Sequence, residues 1–246
     1  MNHSKLSVAC LAALLLSPMA LAGTFEFQGQ AIADNGDTLY TEHHQMQGEC
    51  NAGSFAPTQH RVEYRSPAGE AFGEKHLAFE RSPLMPVVSF TQPKFGEQMD
   101  IRYSANNQVN IDWQTPEGKR ERYSIGIPEQ LVVDSGFDHF VRRQWQTLTA
   151  DDTARFRFLG PTRGEHYGFI AEPVTDSGIN ADLVVRLRPT SLVLRVLVDP
   201  ILLGYNEQSA LTHYQGLTNI RQNADTNYTA TIRYQVNRYP DCPLLP

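Results

Sequence analysis

The sequence predicts a mainly β protein in which a curved antiparallel sheet forms an open or half barrel, with one amphipathic helix covering it. Apolar and polar residues alternate with a period of two along most of the chain after Gly23, as in strands with one buried face. Clusters of Gly, Asn, Asp and Pro separate these runs at the short intervals typical of hairpins. One segment departs from this pattern and has helical spacing.

Residues 1–22 are predicted to be a signal peptide. Lys5 supplies a positive charge, residues 6–16 form an apolar run, and Ala20-Leu21-Ala22 is a small-residue cleavage site. The run is too short to span a bilayer. Cys10 lies inside the run, so the sequence argues against a lipoprotein. We expect residues 23–246 to form one β-rich domain that is periplasmic or secreted.

Charge and cysteine content narrow the function classes. Without the signal peptide, the chain has 20 basic and 27 acidic residues, so its net charge is negative. Its basic residues form no cluster of the kind that indicates nucleic-acid binding. Cys50 and Cys242 remain, and two thiols in an exported protein predict a disulfide. The alternative is a metal site that combines Cys50 with His43, His44 or His60. Those spacings match no zinc pattern, so we predict no metal and no cofactor.

The N-terminal half is predicted to be a series of hairpins with one solvated face. The predicted strands cover residues 25–27, 39–46, 60–64, 75–79, 101–103, 109–113 and 123–127. The exception to the alternation is the helical segment, predicted over residues 136–150. Phe137, Phe140, Val141, Trp145 and Leu148 follow helical spacing there, so this stripe is expected to cover the open face of the sheet.

The C-terminal half resumes with predicted strands at residues 156–158 and 167–171. Residues 183–235 are the part densest in β-branched and apolar residues, and we expect them inside the fold as the closing wall of the sheet. Pro189 and Pro200 predict a bend, bulge or edge. Alternation places Arg186, Arg188 and Arg195 on the exterior face, although arginines beside apolar walls are also able to bind a carboxylate or phosphate headgroup.

Catalytic motifs are absent from the sequence, so candidate chemistry rests on one polar strand and one lysine. The candidate polar site is Tyr40, Glu42, His43 and Lys75. Strand geometry puts Tyr40, Glu42 and His44 on one face and His43 on the other. A Glu and a His on one face are able to form an acid–base pair, and the alternative is a solvated strand face.

Lys75 is predicted to point inward, because it shares a face with Leu77 and Phe79. Such a lysine either extends past the rim of the core or pairs with a carboxylate such as Glu42. Aromatic residues on inward faces suit either an apolar ligand cavity or a packed core. The candidate cavity-lining residues are Tyr64, Phe79, Tyr103, Trp113, Phe137, Phe140, Trp145, Phe156 and Phe158.

Several phrases resemble those of an uncharacterised family of exported proteobacterial proteins. They are LYTEHH at residues 39–44, VEYRSPAGE at 62–70, SGFDHFVRRQW at 135–145 and HYQGLTNIR at 213–221. The architecture is more distantly similar to the half-barrel of periplasmic lipoprotein carriers, with Tyr214-Gln215-Gly216 in the place of their corner motif. That resemblance implies an acyl chain or other hydrophobic ligand held in the half-barrel.

Three functions follow as expectations from these observations. The first is non-enzymatic binding of a hydrophobic or lipid-like ligand in an aromatic pocket beneath the helix. The second is an envelope hydrolase or lyase that uses Glu42, a histidine and Lys75, which requires these side chains to converge. The third is a structural or assembly partner in the cell envelope, which would expose an apolar patch or a sheet edge.

Overall fold

The computed structural model describes residues 22–245, and within that range fifteen strands form one curved sheet. The strands of the N-terminal half are β1 (Ala22–Ile32), β2 (Thr38–Asn51), β3 (Ser54–Arg65), β4 (Ala71–Ala78), β5 (Val87–Gln92), β6 (Glu97–Ser104), β7 (Gln108–Gln114) and β8 (Arg120–Gly126). Those of the C-terminal half are β9 (Leu131–Val132), β10 (Ala154–Gly160), β11 (Glu165–Pro173), β12 (Leu183–Pro189), β13 (Ile201–Tyr205), β14 (Leu211–Arg221) and β15 (Asn227–Arg238).

The sheet is a long meander in two halves. Strands β1 to β8 run from the middle of the sheet to one end, and strands β9 to β15 run from the other end back to the middle. The strand order is β8-β7-β6-β5-β4-β3-β2-β1-β15-β14-β13-β12-β11-β10-β9, and every pair is antiparallel except β9 with β10. The first and last strands therefore pair in the middle of the sheet, and β8 and β9 form its two ends. The predicted fold class, a curved antiparallel sheet in an open barrel, is confirmed.

The two ends of the sheet overlap. Leu159 lies on the face of β10 opposite Phe156, yet it belongs to the same buried cluster as Val109 and Ile111 of β7. In the turn between β10 and β11, a Cβ added at Gly164 would lie 2.3 Å from the ring of Tyr123 on β8. The Tyr123 ring thus packs against the turn between β10 and β11, so the two ends of the sheet are in contact. We call this overlap the seam; it comprises Trp113, Tyr123, Ile125 and Ile127 on one side and Leu159 and Gly164 on the other.

The predicted helix is present as two helices, α1 (Gly136–Arg143) and α2 (Trp145–Thr149), which meet at Gln144. Phe140 and Val141 pack on the concave face of the C-terminal half. The start of α1 passes so close to the loop before β5 that a Cβ at Gly136 would lie 2.2 Å from the Leu84 carbonyl oxygen. A glycine is needed for that approach, so α1 is held deep inside the curved sheet.

The expectation for residues 183–235 was wrong in two respects. The pairing of β15 with β1 puts this stretch in the middle of the sheet, so it does not close the barrel. Its most apolar part also forms a short surface helix, α3 (Leu192–Leu197), with Leu192 and Val196 exposed. Alternation alone does not distinguish a short apolar strand from a short helix. Tyr214-Gln215-Gly216 lies within β14, where the resemblance implied a corner.

The predicted disulfide between Cys50 and Cys242 is present and joins residues 192 positions apart. It ties the end of β2 to the C-terminal segment, and a disulfide is typical of exported proteins. The predicted signal peptide, with its charge at Lys5 and Cys10 in its apolar run, lies outside the described residues. Across residues 22–245, no helix has the length and apolar character needed to cross a membrane.

Candidate functional site

A row of buried polar side chains lies on the concave face where β15, β1, β2 and β3 meet. The alternation of β2 places Tyr40, Glu42 and Met46 on this face, each almost fully buried. His60 of β3, which is 4% exposed, points to the same side. A carboxylate and an imidazole inside a sheet are costly to desolvate, so their hydrogen-bond partners decide what they do.

Four side chains form a continuous hydrogen-bonded series, which we call the Glu42 network: Tyr234, Glu42, His44 and His60. The Tyr234 hydroxyl donates to Glu42 Oε2 at 2.9 Å. The same oxygen lies 2.9 Å from His44 Nε2, and His44 Nδ1 lies 3.0 Å from His60 Nε2. The network therefore joins residues from three strands. Tyr234 and His44 contact the carboxylate directly, and His60 contacts His44.

Gly29 makes the contact between Tyr234 and Glu42 possible. Its backbone on β1 lies between Tyr234 of β15 and Glu42 of β2 in the strand register. A Cβ at Gly29 would lie 2.6 Å from the Tyr234 ring. Because glycine has no side chain, the tyrosine ring passes over β1 and reaches the carboxylate one strand further. Any larger residue at this position would displace the ring.

The plane of His44 is fixed by the aromatic residue beside it. The His44 ring stacks on Phe27 of β1 with centroids 4.2 Å apart and planes 13° apart. Tyr234 packs edge-on against His44 at 5.6 Å. Stacking of this kind holds the imidazole so that both ring nitrogens keep their partners.

The order of donors in the Glu42 network follows from the carboxylate at its centre. When His44 is neutral, Glu42 accepts from His44 Nε2, and His44 Nδ1 accepts from His60 Nε2. His60 Nδ1 is then a bare acceptor, and among residues 22–245 it has no hydrogen-bond partner. The network therefore ends in an unprotonated, buried imidazole nitrogen.

Burial, and then the neighbouring His44 and His139, hold the pKa of His60 well below its usual value. His139 lies on α1 and packs edge-on against Phe79 at 5.1 Å. Burial lowers the pKa of His139 to about 3. Burial and the charge of Glu42 raise the pKa of Tyr234 well above 10. His60 and His139 are thus neutral at pH 7, and Tyr234 keeps its proton to donate.

Lys75 points inward as predicted, but the expected pairing with Glu42 was wrong. Its ammonium group lies 2.9 and 2.8 Å from the two carboxylate oxygens of Asp134, which precedes α1. The Lys75 side chain is 7% exposed and also lies 5.7 Å from the centre of the Phe90 ring. The pair joins β4 to the start of the helix. Lys75 is therefore separate from the Glu42 network.

His43 lies on the opposite face of β2 from Glu42. With Gln28, Arg61 and Glu63 it lines a shallow groove of about 210 Å³ on the outer face of the sheet. A neighbouring groove of about 400 Å³ continues past Gln45 and Arg61 toward β4 and β5. Tyr40 is fully buried beside Tyr64 and Phe72. The predicted polar site is thus divided between two faces.

The predicted cavity-lining residues fall into two groups. Under α1, the rings of Phe140 and Phe156 are 4.6 Å apart, and each residue is at most 3% exposed. Tyr64 and Phe79 are also buried in packed clusters. The other predicted residues keep part of their surface exposed: Tyr103, Trp113, Phe137, Trp145 and Phe158.

No cluster of three or more His, Cys, Asp or Glu side chains in the described part of the chain is arranged to hold a metal ion. The sequence analysis missed His60 and Tyr234 as members of the Glu42 network. His60 shared a predicted inward face with Val62 and Tyr64, which is a usable signal. Nothing local to Tyr234 indicates a carboxylate partner 192 residues away.

No protein-family model matches the sequence, and no curated protein matches it. Among solved structures, the chain is similar to a β-barrel-like protein of the domain of unknown function DUF1849 from Brucella abortus. The two share 5% sequence identity, and the TM-score is 0.43 over 91% of this chain and 98% of that one.

Proposed function

We propose that this protein is an exported, non-enzymatic binding protein that takes an acyl chain or another elongated apolar ligand into the seam. The observation that carries the proposal is a set of inward-facing apolar side chains that stay half-buried. They are Trp113 on β7, Tyr123 and Ile125 on β8, and Ile127 just beyond β8. Inward residues of a packed sheet normally lose nearly all their exposure, so the surface that these side chains keep exposed supports contact with a ligand.

The construction of the seam supports entry of a ligand. Along most of the sheet, neighbouring strands are joined by backbone hydrogen bonds, whereas the overlapping ends meet where the Tyr123 ring packs on the backbone of Gly164. Side-chain contacts separate at lower cost than a backbone ladder. Trp113 also donates its indole N–H to Glu97 Oε1 at 2.9 Å, and Glu97 pairs with Arg221 at 2.8 Å. One end of the apolar lining is therefore polar.

Titration with cis-parinaric acid, a fluorescent polyene fatty acid, tests the proposal. We expect saturable binding with a Kd in the micromolar range, about −8 kcal/mol, as for a partly enclosed apolar ligand. Ile125→Glu places a charge in the seam and should weaken binding about tenfold or more, because an ionised carboxylate is poorly tolerated on an apolar wall.

Ser124→Glu is the matched control. Ser124 neighbours Ile125 on β8 but points to the exposed face, so the same charge is added outside the seam. The control should bind as tightly as the natural protein. Equal weakening by the two variants, or no binding by the natural protein, would overturn the proposal.

Export and a single domain over residues 23–246 belong to this proposal. The disulfide supports export, since bonds of this kind persist in oxidising compartments. N-terminal sequencing of the protein recovered from the periplasm or the medium tests both the compartment and cleavage after Ala22. A chain that retains residues 1–22 and stays in the cytosol would contradict this part of the proposal.

A second candidate function is acid–base catalysis by an envelope hydrolase or lyase, favoured by the convergence of Glu42, His44 and His60. In this proposal His60 Nδ1 removes a proton from water or substrate. The positive charge that forms is stabilised through His44 by the Glu42 carboxylate, as in other carboxylate–imidazole systems. The predicted role of Lys75 in this chemistry is left without support, because Lys75 pairs with Asp134.

Hydrolysis of p-nitrophenyl butyrate discriminates this candidate from a binding protein. A catalytic Glu42 network predicts turnover that falls about 100-fold in Glu42→Gln, with kcat reduced and KM unchanged, since general acid–base groups contribute about that much. A rate equal to that of the buffer, or a rate indifferent to Glu42→Gln, would remove the candidate.

A further inference from the structure

The helix α3 presents three large aliphatic side chains to solvent. Leu192 is 76% exposed, Val193 is 70% exposed and Val196 is 86% exposed. In the described part of the chain, Leu217 at 53% is the next large apolar side chain with this degree of exposure. Single exposed apolar residues are ordinary, but three together on six residues mark an interaction surface.

The connection that carries α3 is far longer than the fold requires. β12 and β13 are antiparallel neighbours, with Leu187 opposite Ile201, and a two-residue turn suffices for such a pair. Residues 188–200 lie between them instead. Two hydrogen bonds fix the start of this long connection to the sheet, and we call this part the base of α3. Thr190 N donates to Gly168 O at 2.8 Å, and Arg195 Nε donates to Pro189 O at 2.9 Å. The connection therefore holds its aliphatic side chains outward on a fixed base.

Positive charge surrounds the base of α3, although the whole chain is acidic. Arg186 and Arg188 share one carboxylate, Glu172, so this group keeps one positive charge. Arg195 on α3 adds a second. The side chain of Arg157, which hydrogen-bonds to His166, lies next to Gly168 beneath Thr190. Together the four arginines exceed Glu172 and Asp199 by two charges.

We propose that α3 is a docking surface for an anionic phospholipid bilayer. Exposed aliphatic side chains at the tip enter the boundary between headgroups and acyl chains. Arg195, which is exposed, and Arg186, whose side chain is 42% exposed, contact phosphate groups. This combination of a small apolar face with basic residues is the physical signature of interfacial membrane binding. It does not depend on the proposed ligand in the seam.

A second copy of the chain fits this surface less well. Each partner in a stable dimer contributes roughly 800 Å² of buried surface, and three aliphatic side chains on one turn of helix supply much less. Like-charged arginines would also face each other across a symmetric contact. An anionic bilayer carries the opposite charge to the arginines, and an inserted side chain is surrounded by lipid. A bilayer therefore suits both the small apolar area and the positive charge of this surface.

Vesicle flotation of the purified protein, with its disulfide intact, tests the docking surface. The vesicles are phosphatidylcholine alone or an equal mixture with phosphatidylglycerol. We expect flotation with the mixed vesicles, weaker flotation with phosphatidylcholine, and a further decrease as salt is raised. The triple variant Leu192→Ser, Val193→Ser, Val196→Ser should bind mixed vesicles about tenfold less tightly or worse, because the apolar contribution is lost.

Leu217→Ser is the matched control, since it removes an exposed aliphatic side chain from β14 without touching α3. It should float like the natural protein. The proposal is overturned if the natural protein does not float, or if the triple variant and the control behave alike. It is also overturned if sedimentation shows a dimer that the triple variant abolishes, because the surface would then belong to a second copy.

Discussion

Two aromatic surfaces on the concave face of the same sheet differ in what covers them. Beneath α1, Phe140 and Phe156 are in direct contact and almost fully buried. At the seam, Trp113 and Tyr123 have the same chemical character but stay half-buried. The first surface has a helix packed on it, whereas at the second the Tyr123 ring lies against the turn between β10 and β11. The difference shows that an aromatic stripe becomes core or binding surface according to what packs against it.

Truncation of an aromatic side chain to alanine should destabilise the protein much more at the helix-covered surface than at the seam. This difference in the free energy of unfolding is the largest effect that we expect. Phe140→Ala removes a buried ring and should lower the free energy of unfolding by about 3–5 kcal/mol. Tyr123→Ala removes a half-buried ring at the seam and should cost about 1 kcal/mol or less. Urea unfolding monitored by circular dichroism measures both. Similar losses for the two variants would mean that the seam is as tightly packed as the helix-covered surface.

The opposite face of α1 gives the helix-covered region a dependence on pH. His139 has a folded-state pKa of about 3, so it stays neutral in the folded protein while the unfolded chain binds a proton below about pH 6.5. Stability is therefore fully present above pH 6.5 and decreases as the pH falls toward 3. A loss of about 2 kcal/mol by pH 5 is expected from this group.

His139→Phe is the variant that isolates this effect, because phenylalanine is able to keep the contact with Phe79. The variant should lose less stability between pH 7 and pH 5 than the natural protein. Urea midpoints at the two pH values provide the comparison. Parallel pH dependence in both proteins would show that His139 titrates normally and that α1 is less enclosed than the structure indicates.

Substitutions in the Glu42 network, which lies on the part of the sheet that faces α1, should lower the free energy of unfolding by a smaller amount. Glu42→Gln keeps the shape but weakens the hydrogen bonds from Tyr234 and His44, so we expect a loss of about 1.5 kcal/mol. Gly29→Ala should produce a similar loss by displacing Tyr234, and the double variant should lose less than the sum. Additive losses would mean that Gly29 and Glu42 do not act through the same tyrosine.

Much of the fold was predictable from the sequence because the information is local. Alternation gave the strands and the inward direction of Lys75, and the count of cysteines gave the disulfide. Pairings between distant segments were not predictable. Asp134 meets Lys75 from 59 residues away, and Tyr234 meets Glu42 from 192 residues away. Both contacts depend on how β1 pairs with β15 and on where α1 enters the sheet, and no local pattern encodes either.

For the exposed helix α3, a local pattern was present but its prediction was wrong. The apolar character of its residues predicts burial, whereas Leu192, Val193 and Val196 are exposed. An apolar segment is buried only when the surrounding topology provides a partner, and the long excursion between β12 and β13 carries α3 away from one. The same reasoning separates the seam from the helix-covered surface.

The natural tryptophans provide the most direct test of ligand binding at the seam, since the chain has two. Trp113 lies at the seam, and Trp145 lies on α2, packed edge-on against Tyr205 at 5.8 Å. In Trp145→Phe the remaining tryptophan reports on the seam, and in Trp113→Phe it reports on the helix. Energy transfer from tryptophan to bound cis-parinaric acid should be strong in Trp145→Phe and weak in Trp113→Phe. Stronger transfer from Trp145, or none from either residue, would contradict a ligand site at the seam.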